Sequence, residues 1–136
     1  MEIIYTNGHD YAPEALEELF LSVDWESGRH PQKLAEALKN YETVIAAWDG
    51  KRLAGMLCAM DDGVMTAYVH YLLVDPRYQG KGIGRRLIEL AKEKYKGYMK
   101  IVLAAYNDAV DFYISCGFKK DEGETPMYFE RYDNAF

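Results

Sequence analysis

The run Val74-Asp75-Pro76-Arg77-Tyr78-Gln79-Gly80-Lys81-Gly82-Ile83-Gly84-Arg85 constrains this chain more than any other stretch. An apolar segment ends at Val74, a Pro-bearing turn follows, and a glycine-punctuated loop runs into an amphipathic pattern. The spacing predicts strand, loop and helix in that order. Such a junction aims unpaired backbone N–H groups at one point, because the first turn of a helix leaves its donors without partners and carries a partial positive charge. Gly80, Gly82 and Gly84 lack a Cβ, which lets a bulky phosphate approach the backbone closely. Arg77, Lys81, Arg85 and Arg86 add positive charge around the same loop. The segment reads as a pyrophosphate cradle. The alternative is a glycine-rich turn with a solvated basic face, and the flanking strand and helix patterns weigh against it.

Length and composition fit one domain over residues 1–136. Hydrophobic residues make up 49% and charged residues 28%, as in an ordinary globular protein, and no apolar run approaches the ~20 residues of a membrane span. The start at Met1-Glu2 lacks the basic and apolar regions of a signal peptide. Cys58 and Cys116 have no zinc-like or CxxC spacing, so reduced thiols, a cytoplasmic setting and no metal site are expected. A net charge of −6 argues against a general nucleic-acid surface, and against that background the basic cluster from Arg77 to Arg86 stands out.

Apolar periodicity places a first strand at residues 3–6, a helix opened by Pro13 and a second opened by Pro31. Strands follow at 43–48 and 53–60, joined by the Asp49-Gly50 turn, and a long strand runs from about 65 to 74 after Asp62-Gly63. Ile83, Leu87, Leu90 and Ala91 share one face of the helix after the glycine loop. A strand at 99–104 follows, then a helix from Asn107, a plausible N-cap, to about Ser115. Short strands near Phe118 and at 127–130 are expected to close the domain. This order implies an α/β (α+β) fold with a mixed sheet of about six to seven strands flanked by about four helices. Period-2 geometry on the long strand puts Tyr68, His70, Leu72 and Val74 on one face and Val69, Tyr71 and Leu73 on the other.

Two common nucleotide fingerprints fail on the glycine loop. A P-loop needs a Lys followed by Ser or Thr, which is missing, and a dinucleotide fingerprint starting at Gly80 or Gly82 meets Arg85 or Leu87 where its last glycine belongs. What remains, Gln79-x-x-Gly82-x-Gly84, resembles the acetyl-coenzyme A loop of the GNAT superfamily, the GCN5-related N-acetyltransferases. A second segment, Asn107-Asp108-Ala109 leading to Tyr113 and then Gly117-Phe118, is similar to a later motif of that family. Together with the element order, the resemblance covers nearly the whole chain. The Val-Asp-Trp and Arg-His-Pro segments around residues 23–31 look like those of small bacterial members.

The resemblance implies a GNAT fold and transfer of an acetyl group from acetyl-CoA, as co-substrate, directly to a primary amine of a small molecule. It implies that Gln79, Gly80, Lys81, Gly82, Ile83, Gly84 and Arg85 bind the pyrophosphate. It also implies that the backbone of Leu72, Leu73 and Val74, on a strand splayed from its neighbour, pairs with pantetheine, as Asn107 does by contact. Tyr113 would then be the general acid for the departing thiolate, which suits a phenol with a pKa near ~10; a core aromatic is the other reading.

The general base stays open at this level. The glutamate often found on this strand in the family is missing. His70 has a suitable unperturbed pKa of about 6.5 and borders the site. A water relay through Tyr68 or His70, a carboxylate of Asp24-Trp25-Glu26, and a purely structural His70 compete with it. Trp25 with Tyr41 would wall an alkyl or aryl amine, with Asp24 and Glu26 attracting its ammonium, or Trp25 would pack on the helix pair while the carboxylates stay solvated. Protein or peptide acetylation and a non-catalytic acyl-CoA-binding module are the rival functions, and an exposed edge strand makes a homodimer plausible. No nucleic-acid, membrane or metal partner is expected.

Overall fold

In the computed structural model, which describes residues 1–131, strands β1 (Ile3–Asn7), β2 (Thr43–Asp49), β3 (Arg52–Asp61) and β4 (Thr66–Val74) form an antiparallel run, extended by the parallel β5 (Lys100–Val102). The sheet therefore has five strands in chain order. Helices α1 (Pro13–Ser22) and α2 (Pro31–Leu38) each open on a proline, whose fixed φ and missing N–H suit the first helical position. After β4 comes α3 (Ile83–Lys94), and α4 (Val110–Ser115) lies further on. Two compact units divide the chain: Met1–Leu103 holds the sheet and α1 to α3, and α4 belongs to the unit beginning at Ala104.

Tight turns set the register of the antiparallel part. Gly50 takes φ +59° between β2 and β3, and Gly63 takes φ +81° between β3 and β4. The Asp62 carboxylate accepts the N–H groups of Val64, Met65 and Thr66 at 2.9, 2.6 and 3.1 Å, which holds that second turn closed. Leu16, Leu19 and Phe20 of α1 and Leu34 and Leu38 of α2 pack on Val44, Ala46, Met56, Cys58 and Leu73. Buried Ile83, Leu87, Ile88 and Ala91 of α3 cover the opposite face, where Gly55 admits Ile83 closely. Among the described residues, no helix is long and apolar enough to cross a membrane.

β4 departs from simple alternation. Tyr71 opposes Cys58 and Val69 opposes Ala59, so His70 is an extra residue, the mark of a β-bulge. On the α1/α2 side of β3 lie Met56, Cys58 and Met60, whose partners are Leu73, Tyr71 and Tyr68. Leu72 and Val74 pair with Leu57 and Gly55 of the α3 face instead. The expected face of Tyr68, His70, Leu72 and Val74 is thus broken, because one inserted residue flips the alternation below it.

Other expectations are also corrected. β5 is shorter than 99–104, and the strands near Phe118 and at 127–130 do not form. Residues 119–131 are exposed throughout, and no strand pairs with them among the described residues, so β-favourable side chains there have no ladder to join. Asn107 is not an N-cap: it is the first residue of a 3₁₀ turn, Asn107–Ala109, that leads into α4 without a side-chain cap.

Candidate active site

The chain leaves β4 along a tightly tied path. Asp75, 2% exposed, donates its N–H to the Ala54 carbonyl at 2.9 Å. Its carboxylate accepts from the Arg77 N–H at 2.9 Å and from the Arg77 guanidinium at 3.1 and 2.6 Å, and Arg77 holds its pKa below the usual carboxylate range. Arg77 also reaches Glu18 at 3.3 Å, which in turn pairs with Arg52. The charge of Arg77 is therefore spent on anchoring, which corrects its expected place beside a phosphate. Tyr78 donates its hydroxyl to Asp49 at 2.5 Å, and Gln79 donates its side-chain amide to the Val74 carbonyl at 2.9 Å.

Beyond Gln79 the backbone opens. Gly80 and Gly82 take φ +79° and +84°, a left-handed conformation that favours glycine, and a Cβ on either would meet nothing within 4 Å. Gly82 precedes α3 with no side-chain cap, and the first intrahelical bond is Arg86 N–H to Gly82 C=O at 3.0 Å. The N–H groups of Ile83, Gly84 and Arg85 come before that bond, while the buried Ile83 side chain pins the helix start to the core. Exposed Lys81 and Arg85 flank this cradle, and Arg86 pairs with Glu89 at 3.3 Å. Open space above left-handed glycines, uncapped donors and flanking cations fit a pyrophosphate.

β4 and β5 pair over three positions only, ending at Tyr68↔Val102. Leu72, Leu73 and Val74 pair with β3 on one side, and among the described residues no strand pairs with them on the other. That open backbone edge leads directly to the glycine loop. Its last carbonyl, on Val74, is already engaged by Gln79.

An aromatic and hydroxyl cluster occupies the α1/α2 side of β4. The His70 ring stacks on Tyr71 at 4.2 Å between centroids and on Tyr68 at 5.8 Å. Tyr41 lies 5.9 Å from His70 and 6.1 Å from Tyr71, and its hydroxyl bonds His70 Nδ1 at 2.5 Å. The Tyr71 hydroxyl bonds Ser27 Oγ at 2.6 Å. Burial raises the Tyr41 and Tyr71 phenols and lowers the His70 imidazole, which keeps His70 neutral at pH 7. His9 Nε2 lies 2.8 Å from the Tyr41 carbonyl and steadies the base of that side chain.

Trp25 packs on Phe20 at 6.1 Å and on Tyr71 at 6.0 Å, so Tyr71 stands between it and Tyr41 in the expected wall. Asp24, in a left-handed conformation at φ +58°, and Glu26 both pair with Arg29 at 3.3 Å while remaining exposed. Sequence reasoning missed Tyr71 and Ser27. Ser27 joins Tyr71 across 44 positions and Tyr41 joins His70 across 29, separations at which local patterns carry no signal.

In the second unit, Tyr113 of α4 packs edge-on to Phe112 at 5.2 Å and Phe118 at 5.7 Å. Its carbonyl accepts from the N–H of Phe118 at 3.0 Å, which closes the turn at Gly117, φ +98°. Burial first, and then Cys116, push the Tyr113 phenol up to about 12, so it is a protonated donor at neutral pH. Asn107 is exposed in the preceding 3₁₀ turn. No group of metal-ligating side chains occurs among the described residues.

A family model described as an acetyltransferase (GNAT) domain matches residues 9–129. The chain is 35% identical to histone acetyltransferase TAP1 of Glycine max over 94% of its own length and 61% of that protein. It is 34% identical to the chloroplastic serotonin N-acetyltransferase 2 of Oryza sativa subsp. japonica, over 79% of this chain and 56% of that one. It therefore spans somewhat over half the length of these curated relatives. Among solved structures, a GNAT-family acetyltransferase from Streptococcus pneumoniae superposes with a TM-score of 0.82 at 26% identity, covering 97% of this chain and all of that one. By its sequence, its five-stranded mixed sheet and its glycine loop, this chain belongs to the GNAT acetyltransferase family.

Proposed function

We propose that the protein transfers an acetyl group from acetyl-CoA directly to the primary amine of a small molecule. The observation that carries this reading is the continuity of an open β4 edge with an uncapped, left-handed glycine cradle at the start of α3. Acetyl-CoA supplies the activated thioester when bound. The donors of Gly80 to Arg85 and the charge of Lys81 and Arg85 take the pyrophosphate, with Gln79 holding the loop against Val74. Leu72, Leu73 and Val74 offer the backbone edge along which an extended pantetheine pairs as an added strand, and Asn107 adds a contact by its match to the family motif.

His70, neutral and flanked by Tyr68, takes the proton from the acceptor ammonium, directly or through a water held by Tyr68. Tyr113 hands a proton to the leaving thiolate. Trp25 and the exposed carboxylates of Asp24 and Glu26 favour an aromatic or alkyl cation on the acceptor side. That preference agrees with the serotonin in the name of the rice relative.

A second reading, acetylation of a lysine or N-terminus in a protein, is favoured by the soybean relative named as a histone acetyltransferase. A thiol-release screen of acetyl-CoA with polyamines, arylalkylamines, amino acids, aminoglycosides and peptides separates them. Turnover with a free amine and none with peptides is expected, and the reverse pattern establishes the second reading. Tyr113→Phe should lower turnover at saturating acetyl-CoA more than it weakens binding. Equal turnover removes the acid role, and thiol release from no acceptor leaves a binding module.

A further inference from the structure

Two tyrosine hydroxyls beside His70 do more than fill the core. Phenylalanine at positions 41 and 71 would fill the same apolar space, yet both residues carry hydroxyls, one bonded to His70 and the other to Ser27. Tyr41 is 8% exposed, so its hydroxyl is held where an unmet hydrogen bond is costly. His70 bonds it through Nδ1. His70 is an exposed residue, and among the described residues its Nε2 has no hydrogen-bond partner, which leaves that nitrogen to solvent. A neutral imidazole has one N–H, and its tautomer is set by the bond the other nitrogen makes.

We infer that Tyr41 is a positioning residue for His70: its hydroxyl accepts the Nδ1 proton and so keeps Nε2 bare and turned to solvent as the proton acceptor for the amine. The inference rests on the proposed acetyl transfer with His70 as base. Next to it, the Tyr71 hydroxyl and Ser27 Oγ share a hydrogen bond at 2.6 Å, which holds the Tyr71 ring against His70. Stacking on Tyr68 and Tyr71 fixes the ring plane, and the Tyr41 bond fixes rotation within it. When the ammonium loses its proton, the N–H bonding pair stays on the amine nitrogen and the proton binds Nε2. The ring becomes imidazolium while its Nδ1–H bond to Tyr41 is unchanged. No carboxylate is needed to orient this histidine, because the Tyr41 hydroxyl and the stacked rings do so.

Nitrogen-15 spectra of the histidine-labelled full chain test this without any substrate. The wild-type His70 ring should carry its proton on Nδ1 at neutral pH, and Tyr41→Phe, which keeps the ring volume, should shift it toward Nε2. An Nε2–H wild type, or a tautomer that does not change in the variant, overturns the inference. In turnover assays Tyr41→Phe should lower kcat by roughly tenfold or more while the KM for acetyl-CoA stays the same. An unchanged kcat overturns the catalytic part. If the wild type acetylates no amine, the functional reading fails, and the ring spectra still decide whether Tyr41 holds His70.

Discussion

The glycine cradle and the aromatic face of β4 are adjoining parts of one unit, built by opposite means. The cradle runs through consecutive residues, and its parts are backbone conformations: left-handed Gly80 and Gly82, then the uncapped start of α3. The aromatic face joins Ser27, Tyr41, Tyr68, His70 and Tyr71 from different elements. It exists because a bulge puts one extra residue into β4. Anion binding needs N–H groups whose directions follow from local φ and ψ. Proton transfer needs side chains at set distances, which only packing supplies. The same division recurs in the charges: Arg77, which precedes the cradle in sequence, is bound to Asp75 and Glu18 as part of the scaffold.

The contrast is open to four perturbations. His70→Ala should have the largest effect, lowering kcat by about 10²–10⁴ while acetyl-CoA binding is kept, since the cradle is untouched. Burial lowers the His70 pKa, so His70, the proposed base, is unprotonated from below about pH 6.5 upward. The kcat should therefore rise with pH only on the acid side of that value and stay level to pH 8; a rise centred above 7 would count against His70.

Gly82→Val should do the reverse. A branched side chain at φ +84° costs about 1–2 kcal/mol of strain, and its atoms enter the space above the donors. Losing two charge-assisted contacts worth about 1.5 kcal/mol each implies roughly 100-fold weaker acetyl-CoA binding by calorimetry. Undiminished affinity would remove the pyrophosphate assignment.

Asp75→Asn tests the scaffold between the two parts, and should cost about 1 kcal/mol or more in urea unfolding at pH 7. Because Arg77 lowers the folded-state pKa of Asp75, this stabilisation is present above the unfolded value of about 3.9 and is lost as pH falls through the folded value. The stability gap between wild type and variant should accordingly shrink below pH 4; a gap that is constant with pH would mean that the charge is not the cause. The smallest effect is expected from Asp24→Asn with Glu26→Gln. These exposed pairs with Arg29 contribute at most about 1 kcal/mol to stability. The KM for a cationic amine should rise about two- to threefold, more at low salt, and an unchanged KM would take both residues out of acceptor recognition.

Particular residues mark how far the sequence was legible. Pro13, Pro31, Gly50 and Gly63 announced their helices and turns, because each restricts its own backbone. The helix after the glycine loop was readable from its apolar face. Phe118 and residues 127–130 misled, since β-favourable side chains make a strand only when another strand pairs with them. Asn107 suited an N-cap by type but lies inside a 3₁₀ turn.

What the order of residues settles here is whatever lies within about one helical turn of itself: the glycine cradle, the uncapped start of α3, the hairpin turns and the succession of elements. Backbone sterics and local hydrogen bonds act at that range, so these features need no partner from elsewhere in the chain. The bulge at His70, the bonding of Tyr41 to that ring, the capture of Arg77 by Asp75 and Glu18, and the five-strand limit of the sheet required the folded chain. Each depends on which distant segment comes to lie alongside, and that is decided by burial and strand pairing over the whole core.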